Sequence, residues 1–222
     1  MIEGSRSPVA TASTGRRTVI FDFGAVLFRW QPVQLMQQAL PELAADEDAA
    51  RQLMAQVFQS FTPDSDWARF DLGLDDEHSL ARRIAVRTGL PEAAMRRIIE
   101  AVPGHLEPQH DTVALFRELK ARGYRMVFLS NMPRPYADHL ERLNPFVGEF
   151  DDGIFSGRVG LVKPWPAMFE LASLRFGLNG APPMFIDDHA GNIEAARRHG
   201  WEGLRFEKAS QAEAALRDQG WL

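Results

Sequence analysis

A chain of 222 residues with 45% hydrophobic content is long enough to bury most of its apolar surface in one domain, or in a core carrying an insertion. Its 25 Lys and Arg against 30 Asp and Glu leave a net charge of −5, which removes any electrostatic reason to expect nucleic acid or an anionic membrane as partner. The lack of cysteine excludes disulfide stapling and thiol chemistry and fits a cytoplasmic protein.

Residues 1–17 are rich in Ser, Thr, Gly and Arg, carry no apolar signal-peptide core and predict a disordered tail. No apolar run reaches the roughly 18 residues of a membrane span. Val19-Ile20-Phe21 then reads as a buried central strand of a parallel sheet, with Asp22 at its carboxyl edge, where open α/β sheets place their ligands. Gly24 follows and permits a tight turn, expected at positive φ.

Between residues 31 and 105 the apolar spacing is helical throughout. Val33, Leu35, Met36 and Leu40 form one stripe, and Ala50, Leu53, Met54, Val57, Phe58 and Phe61 form a second. Asp75-Asp76-Glu77 opens a third helix, with Leu80, Ile84 and Val86 on its apolar face, which Gly89 ends. Pro91 suits the first turn of a fourth, with Met95, Ile98, Ile99 and Val102, stopped by Pro103-Gly104.

From His110 the pattern becomes helix–strand alternation. Asp111 is a plausible N-cap for a helix with Val113, Leu115, Phe116 and Leu119, ended by Gly123. Strand 125–130 leads into Ser130-Asn131. A helix near 135–143, a short strand at 152–155, a helix at 164–176, strand 183–187, a helix from about Asn192 to Gly200, a strand within 201–206 and a helix at 209–218 complete the pattern. This predicts an α/β protein with a Rossmann-like parallel sheet core.

Four polar tips punctuate these strands in order: Asp22, then Ser130-Asn131, then Lys163-Pro164, then Asp187-Asp188. In that order and context the chain resembles the haloacid dehalogenase-like hydrolase superfamily, in its first subfamily with an inserted α-helical cap. The resemblance implies a catalytic core at 18–30 and 106–222 and a helical cap at 31–105. It implies Asp22 as the nucleophile, forming an aspartyl-phosphate that water hydrolyses, with Ser130, Asn131 and Lys163 receiving the phosphate. Backbone N–H groups at Asn131 and Met132 are expected to help.

Converging carboxylates need a counter-charge, because two at about 4 Å repel by roughly 4 kcal/mol at an effective dielectric near 20. All-oxygen donors argue for Mg²⁺; the resemblance implies that Asp22, the Gly24 carbonyl and Asp188 hold it, with Asp187 a ligand or its neighbour and Asn192, where many relatives carry a further acid, near a bound water. The chain departs from the superfamily's phosphatases at Gly24, where a second Asp usually acts as general acid and base. That loss implies a rate deficit of roughly 10²–10⁴, or a preference for substrates with easily departing groups. The Asp-Phe-Gly-Ala-Val-Leu form resembles the branch containing α-D-glucose-1-phosphate phosphatase, which implies a sugar phosphate among the candidate substrates.

The expected partner is thus a small phosphorylated molecule, without nucleic acid or membrane, for a monomer or weak homodimer. Arg29, Trp30, Trp67, Arg69, Phe70 and Asp71 are the cap-side candidates for substrate choice, Trp67 and Phe70 being equally suited to packing cap helices together. His105, His110 and His189 are further candidates, His189 for proton transfer. Two other readings stand beside the phosphatase: a 2-haloacid dehalogenase, which would leave the acidic pair without use, and a binding or regulatory protein that has lost catalysis.

Overall fold

Every residue of Thr18–Phe21 (β1) is buried, as the middle strand of a parallel sheet requires. The computed structural model describes residues 16–59 and 64–222. Parallel strands Arg125–Ser130 (β2) and Met184–Asp187 (β4) flank β1, with Asp152–Phe155 (β3) and Glu202–Arg205 (β5) at the edges, in the order β3-β2-β1-β4-β5. Alternation along β1 sends Val19 and Phe21 into the apolar layer that contains Phe116, and Ile20 into the layer that contains Phe169 and Phe185. Phe21 stands opposite Phe128 on one side and Ile186 on the other, so the next residue, Asp22, emerges between the ends of β2 and β4. The chain winds outward from β1 in both directions, which makes the carboxyl end of β1 the crevice of the sheet.

Among the described residues, five α-helices follow β1 before the alternating part of the chain: Pro32–Ala39 (α1), Glu47–Phe58 (α2), Asp66–Asp71 (α3), Glu77–Thr88 (α4) and Glu92–His105 (α5). Their apolar stripes join the core layer on the Phe21 side of the sheet. The alternating part then carries His110–Ala121 (α6), Arg134–Leu143 (α7), Ser156–Val159 (α8), Pro166–Phe176 (α9), Ala190–Arg198 (α10) and Ala209–Asp218 (α11).

Several boundaries depart from the sequence expectations for physical reasons. The helix expected to stop at Pro103-Gly104 runs on to His105. Pro103 has no N–H to give the carbonyl four residues back, Ile99, and the Tyr136 hydroxyl donates to that carbonyl instead at 2.7 Å. Asp111 lies within the first turn of α6, whose N-cap is Gln109, a residue whose side chain caps nothing and reaches the turn after β1 instead. Pro91 is an N-cap rather than a first-turn residue, and α10 starts at Ala190, two residues before Asn192. The six-residue α3 gave no signal, being too short to show a period.

Residues 1–15 of the expected tail, and Phe61 of the second stripe, lie outside the described residues. Arg16 and Arg17 do not belong to a loose tail. Arg16 donates to the carbonyls of Gly123 and Tyr124 at 2.6 and 2.7 Å, and the Arg17 guanidinium lies 3.6 Å from the Trp221 ring centroid.

Candidate active site

Strand ends bring Asp22, Ser130 and Asp187 to one edge of the sheet, and the loop before α9 adds Lys163. Lys163 Nζ reaches Asp22 Oδ1 at 2.9 Å and Asp187 Oδ2 at 2.6 Å, with its side chain fully enclosed. Burial works against the ammonium charge, yet two carboxylates at contact distance outweigh it and hold Lys163 above its usual pKa. Burial pushes Asp22 up to about 7, Lys163 opposing and Asp187 and Asp188 adding to the rise. Asp188 is also raised, by burial and then by Asp187.

The two oxygens of Asp22 are not equivalent. Oδ1 accepts from the Phe23 N–H at 2.7 Å and from Lys163, whereas among the described residues nothing donates to Oδ2. Asp187 is saturated in contrast. Its Oδ1 accepts from the His189 N–H at 2.8 Å and from Asn192 Nδ2 at 3.1 Å, and its Oδ2 from Asn192 Nδ2 at 3.0 Å as well as from Lys163. Asn192, expected near a bound water, therefore spends its amide on fixing Asp187.

Asn131 acts through its side chain. Its Nδ2 donates to the Lys163 carbonyl at 2.9 Å and its Oδ1 accepts from the Lys163 N–H at 2.8 Å, a reciprocal clasp joining β2 to the lysine loop. The Met132 N–H, expected to receive phosphate, is already committed to Ser156 Oγ at 2.8 Å. Ser130 Oγ is the one fully enclosed side-chain polar atom among the described residues with no hydrogen-bond partner. It caps no helix, since α7 starts after Pro133. Ser130 is enclosed and is not among the residues that line the cavity over the strand tips.

The turn after β1 is strained at one residue beyond the expected place. Ala25, not Gly24, takes the left-handed conformation at φ 60°. Gln109 Nε2 donates to the carbonyls of both Ala25 and Val26 at 2.9 Å and pins the turn. A Cβ built on Gly24 would meet nothing within 4 Å, so the space where a side chain could project is open.

A cavity of about 380 Å³ stands over these tips, within the range typical of small-ligand pockets. Asp22, Gly24, Asn131, Lys163, Asp188, His189 and Asn192 line its base. The rest of the lining is apolar in Trp30, Trp67, Ala68, Val102, Leu106, Met132 and Tyr136, and carries the carboxyl group of Asp71. Trp67 performs both roles weighed for it, lining the cavity while its ring packs on Phe58, Phe70 and Tyr136. Phe70 is buried within the helices. Arg29 and Arg69 stay outside the cavity, paired with Glu107 at 3.2 Å and Asp75 at 2.8 Å. His105 contacts the Gln31 carbonyl and His110 is exposed, so neither lines the cavity.

Helix α3 is mounted rigidly on the core. The Asp71 carbonyl accepts from Ser156 Oγ at 2.6 Å, the hydroxyl that also accepts from Met132. Just beyond, Gly73 sits at φ +72° with its backbone so close to Gly157 that an added Cβ would lie 2.7 Å from the Gly157 carbonyl oxygen. At the other end Asp66 accepts from Arg83 Nε at 3.1 Å and Arg87 Nε at 2.7 Å, fastening α3 to α4.

The oxygens of Asp22, Asp187 and Asp188 lie within 4.8 Å of one another, a grouping able to hold a metal ion. The donor set is oxygen only, which fits a hard cation. With Asp187 saturated, Asp22 and Asp188 are the carboxylates turned to the cavity, beside Gly24.

The model of the haloacid dehalogenase-like hydrolases matches residues 16–200. The chain belongs to this family. As a haloacid dehalogenase-like hydrolase it is 27% identical over 191 residues to a sesquiterpene phosphatase of Aspergillus oryzae, covering 86% of this chain and 89% of that protein. Its fold matches a family enzyme of Bacteroides thetaiotaomicron solved with magnesium and inorganic phosphate, at TM-score 0.66 and 18% identity, over 87% of this chain and 95% of the other. It also matches the L-2-haloacid dehalogenase of Xanthobacter autotrophicus solved with chloropropionic acid covalently bound, at TM-score 0.64 and 20% identity, over 91% and 82%. The parallel sheet and flanking helices are those of the family. Among the described residues no helix is long and apolar enough to cross a membrane.

Proposed function

We propose that this hydrolase is a Mg²⁺-dependent phosphatase acting on small phosphate monoesters with an apolar organic group, the inserted helices serving as its cap. The observation that carries the reading is the asymmetry of Asp22, with Oδ1 held by Lys163 and the Phe23 N–H and Oδ2 left for phosphorus. Asp22 Oδ2 attacks phosphorus, the ester oxygen departs, and water then hydrolyses the aspartyl-phosphate. Lys163 offsets part of the charge on Asp22 and Asp187 and keeps a third N–H for a phosphate oxygen, and Ser130 Oγ, enclosed at the tip of β2, would donate to another once its side chain turns toward the cavity. Asp22, Asp188 and the Gly24 carbonyl would hold Mg²⁺, backed by Asp187. When bound, the ion offsets charge on the phosphate and the carboxylates.

The apolar wall supports the substrate class. Trp30, Trp67, Val102, Leu106 and Met132 offer an organic group apolar surface, and the Tyr136 proton is spent on the Ile99 carbonyl. Similarity to a sesquiterpene phosphatase points the same way. The dehalogenase reading shares the fold but leaves Asp188 without a task.

Initial rates with Mg²⁺ on farnesyl phosphate, decyl phosphate and glucose 1-phosphate test both levels. We expect kcat/KM at least tenfold higher for the two apolar esters. A preference for glucose 1-phosphate would overturn the apolar assignment, and absence of phosphate release from all three would overturn the phosphatase.

A further inference from the structure

We infer that Asp71, at the end of α3, is the general acid and base of the reaction and stands in for the side chain that Gly24 lacks. The inference rests on the phosphatase reading. Asp71, the last residue of α3, lines the same cavity as Asp22, Gly24, Lys163 and Asp188. It is half-buried, and among the described residues its carboxyl group has neither a hydrogen-bond donor nor an ion-pair partner, so its chemistry is uncommitted. It lies outside the cluster of Asp22, Asp187 and Asp188, and so outside the set suited to a metal.

The competing proton donors are each engaged or misplaced. Tyr136 faces the cavity but its hydroxyl proton is given to the Ile99 carbonyl, and burial raises its pKa well above 10. Asp188 belongs to the cation site. His189 follows the acidic pair directly, next to the cation site. Asp71 comes from an inserted helix and not from a strand end, so it enters the cavity on an element separate from those that carry Asp22 and Asp188.

The charge state fits the task. Burial raises Asp71 to about 8, with Lys163 opposing and Asp22 adding, so the group carries a proton at neutral pH. Those two residues, with Tyr136 of α7, are the titratable groups that face it. The mount matters equally, for an acid on a loose loop would be ineffective. Ser156 grips the Asp71 carbonyl and the Gly73–Gly157 contact sets the distance from helix to core.

The step balances as follows. As Asp22 Oδ2 forms its bond to phosphorus, the bond from phosphorus to the ester oxygen breaks with its electron pair, and the Asp71 proton passes to that oxygen to release the alcohol. The Asp71 carboxylate then takes a proton from water as its oxygen attacks the phosphoryl group, which frees Asp22 and inorganic phosphate and returns Asp71 to its acid form.

The test compares wild type, Asp71→Asn, His189→Gln and the double variant Asp71→Asn/Gly24→Asp, full-length with Mg²⁺, on decyl phosphate and a series of aryl phosphates, in single turnovers and in steady state. Asp71→Asn should slow decyl phosphate cleavage by about 10²–10⁴-fold. It should slow p-nitrophenol release in a single turnover by under about tenfold, and steepen the dependence of rate on leaving-group pKa. Gly24→Asp, whose side chain has open space, should recover at least tenfold of the decyl phosphate rate. Equal losses on aryl and alkyl esters, with an unchanged leaving-group slope, would overturn the assignment even with phosphatase activity intact. So would a steepened slope in His189→Gln and none in Asp71→Asn. A wild type inactive on every ester would remove the phosphatase reading and this inference together.

Discussion

The Tyr136 hydroxyl donates to the Ile99 carbonyl at 2.7 Å, the acceptor that Pro103 leaves without its helical donor. One hydrogen bond thus lets α5 run through a proline and ties that helix to α7 at the back of the cavity. Tyr136→Phe strands a buried carbonyl, which costs about 1–3 kcal/mol. Thermal and urea unfolding should show a loss in that range with the aromatic contacts to Trp67 and Phe70 kept. Unchanged stability would mean that water replaces the hydroxyl.

The Asn131 side chain fixes the lysine loop. Asn131→Ala removes both bonds of the clasp, so we expect kcat to fall by about 10–100-fold from misplacement of Lys163, with KM changed by much less. A variant that raised KM alone would instead assign Asn131 to substrate contact.

Mg²⁺ should be required. Activity on any aryl phosphate should vanish in chelator and return on adding Mg²⁺, and Asp22→Asn should abolish turnover while preserving the unfolding transition. Chloride release from 2-chloropropionate in metal-free buffer, faster than any phosphate release, would restore the dehalogenase reading.

Asp71 should make stability pH-dependent in a direction opposite to that of a salt-bridged carboxylate. Its folded pKa of about 8 lies above the ordinary 3.8, so the folded protein holds the extra proton between those values. Stability from this group is complete below pH 3.8 and is lost as pH rises through 8. Asp71→Asn lacks the titration and should gain on wild type progressively from pH 4 to 8, then level off. Since Asp71 keeps some solvent contact, the gain should be about 1–3 kcal/mol, well below the full shift at 1.36 kcal/mol per unit. A flat difference in melting temperature across that range would show that Asp71 titrates normally.

Asp66 holds the far end of α3. Asp66→Ala removes one partner from each of Arg83 and Arg87, which keep Asp75 and the Gln56 and Val57 carbonyls respectively, and should cost roughly 1–3 kcal/mol. If the helix also carries the acid, decyl phosphate cleavage should fall more than aryl phosphate cleavage. Equal effects on both esters would confine Asp66 to stability.

The strand tips were legible because each is a continuous apolar run ending in a polar residue, a pattern that survives without knowledge of the neighbours. Asp22, Asp187 and Asp188 could be placed for that reason, and Lys163, on the loop before α9, by its order in the chain. The roles of Asn131, Asn192 and Gln109 could not. Each uses an amide to reach a partner that only the fold brings near, 32, 5 and 84 residues away in sequence. Arg29 looked like a substrate ligand by its place beside Trp30, yet one residue separates an exposed ion pair from the cavity wall. Helix α3 escaped notice because six residues hold less than two helical turns, and with it went the position of Asp71 relative to Asp22.

The contact between Gly73 and Gly157 is made by main chain alone, so no choice of side chain can tune it more finely. It works as a shim of zero thickness under α3. A methyl group at residue 73 would push the helix off the sheet edge, enlarge the room above Asp22 and carry Asp71 out of register with the departing oxygen. The volume of the substrate chamber and the reach of its acid are therefore coupled dimensions, and a lineage that widened one for a bulkier ester would have to rebuild the other.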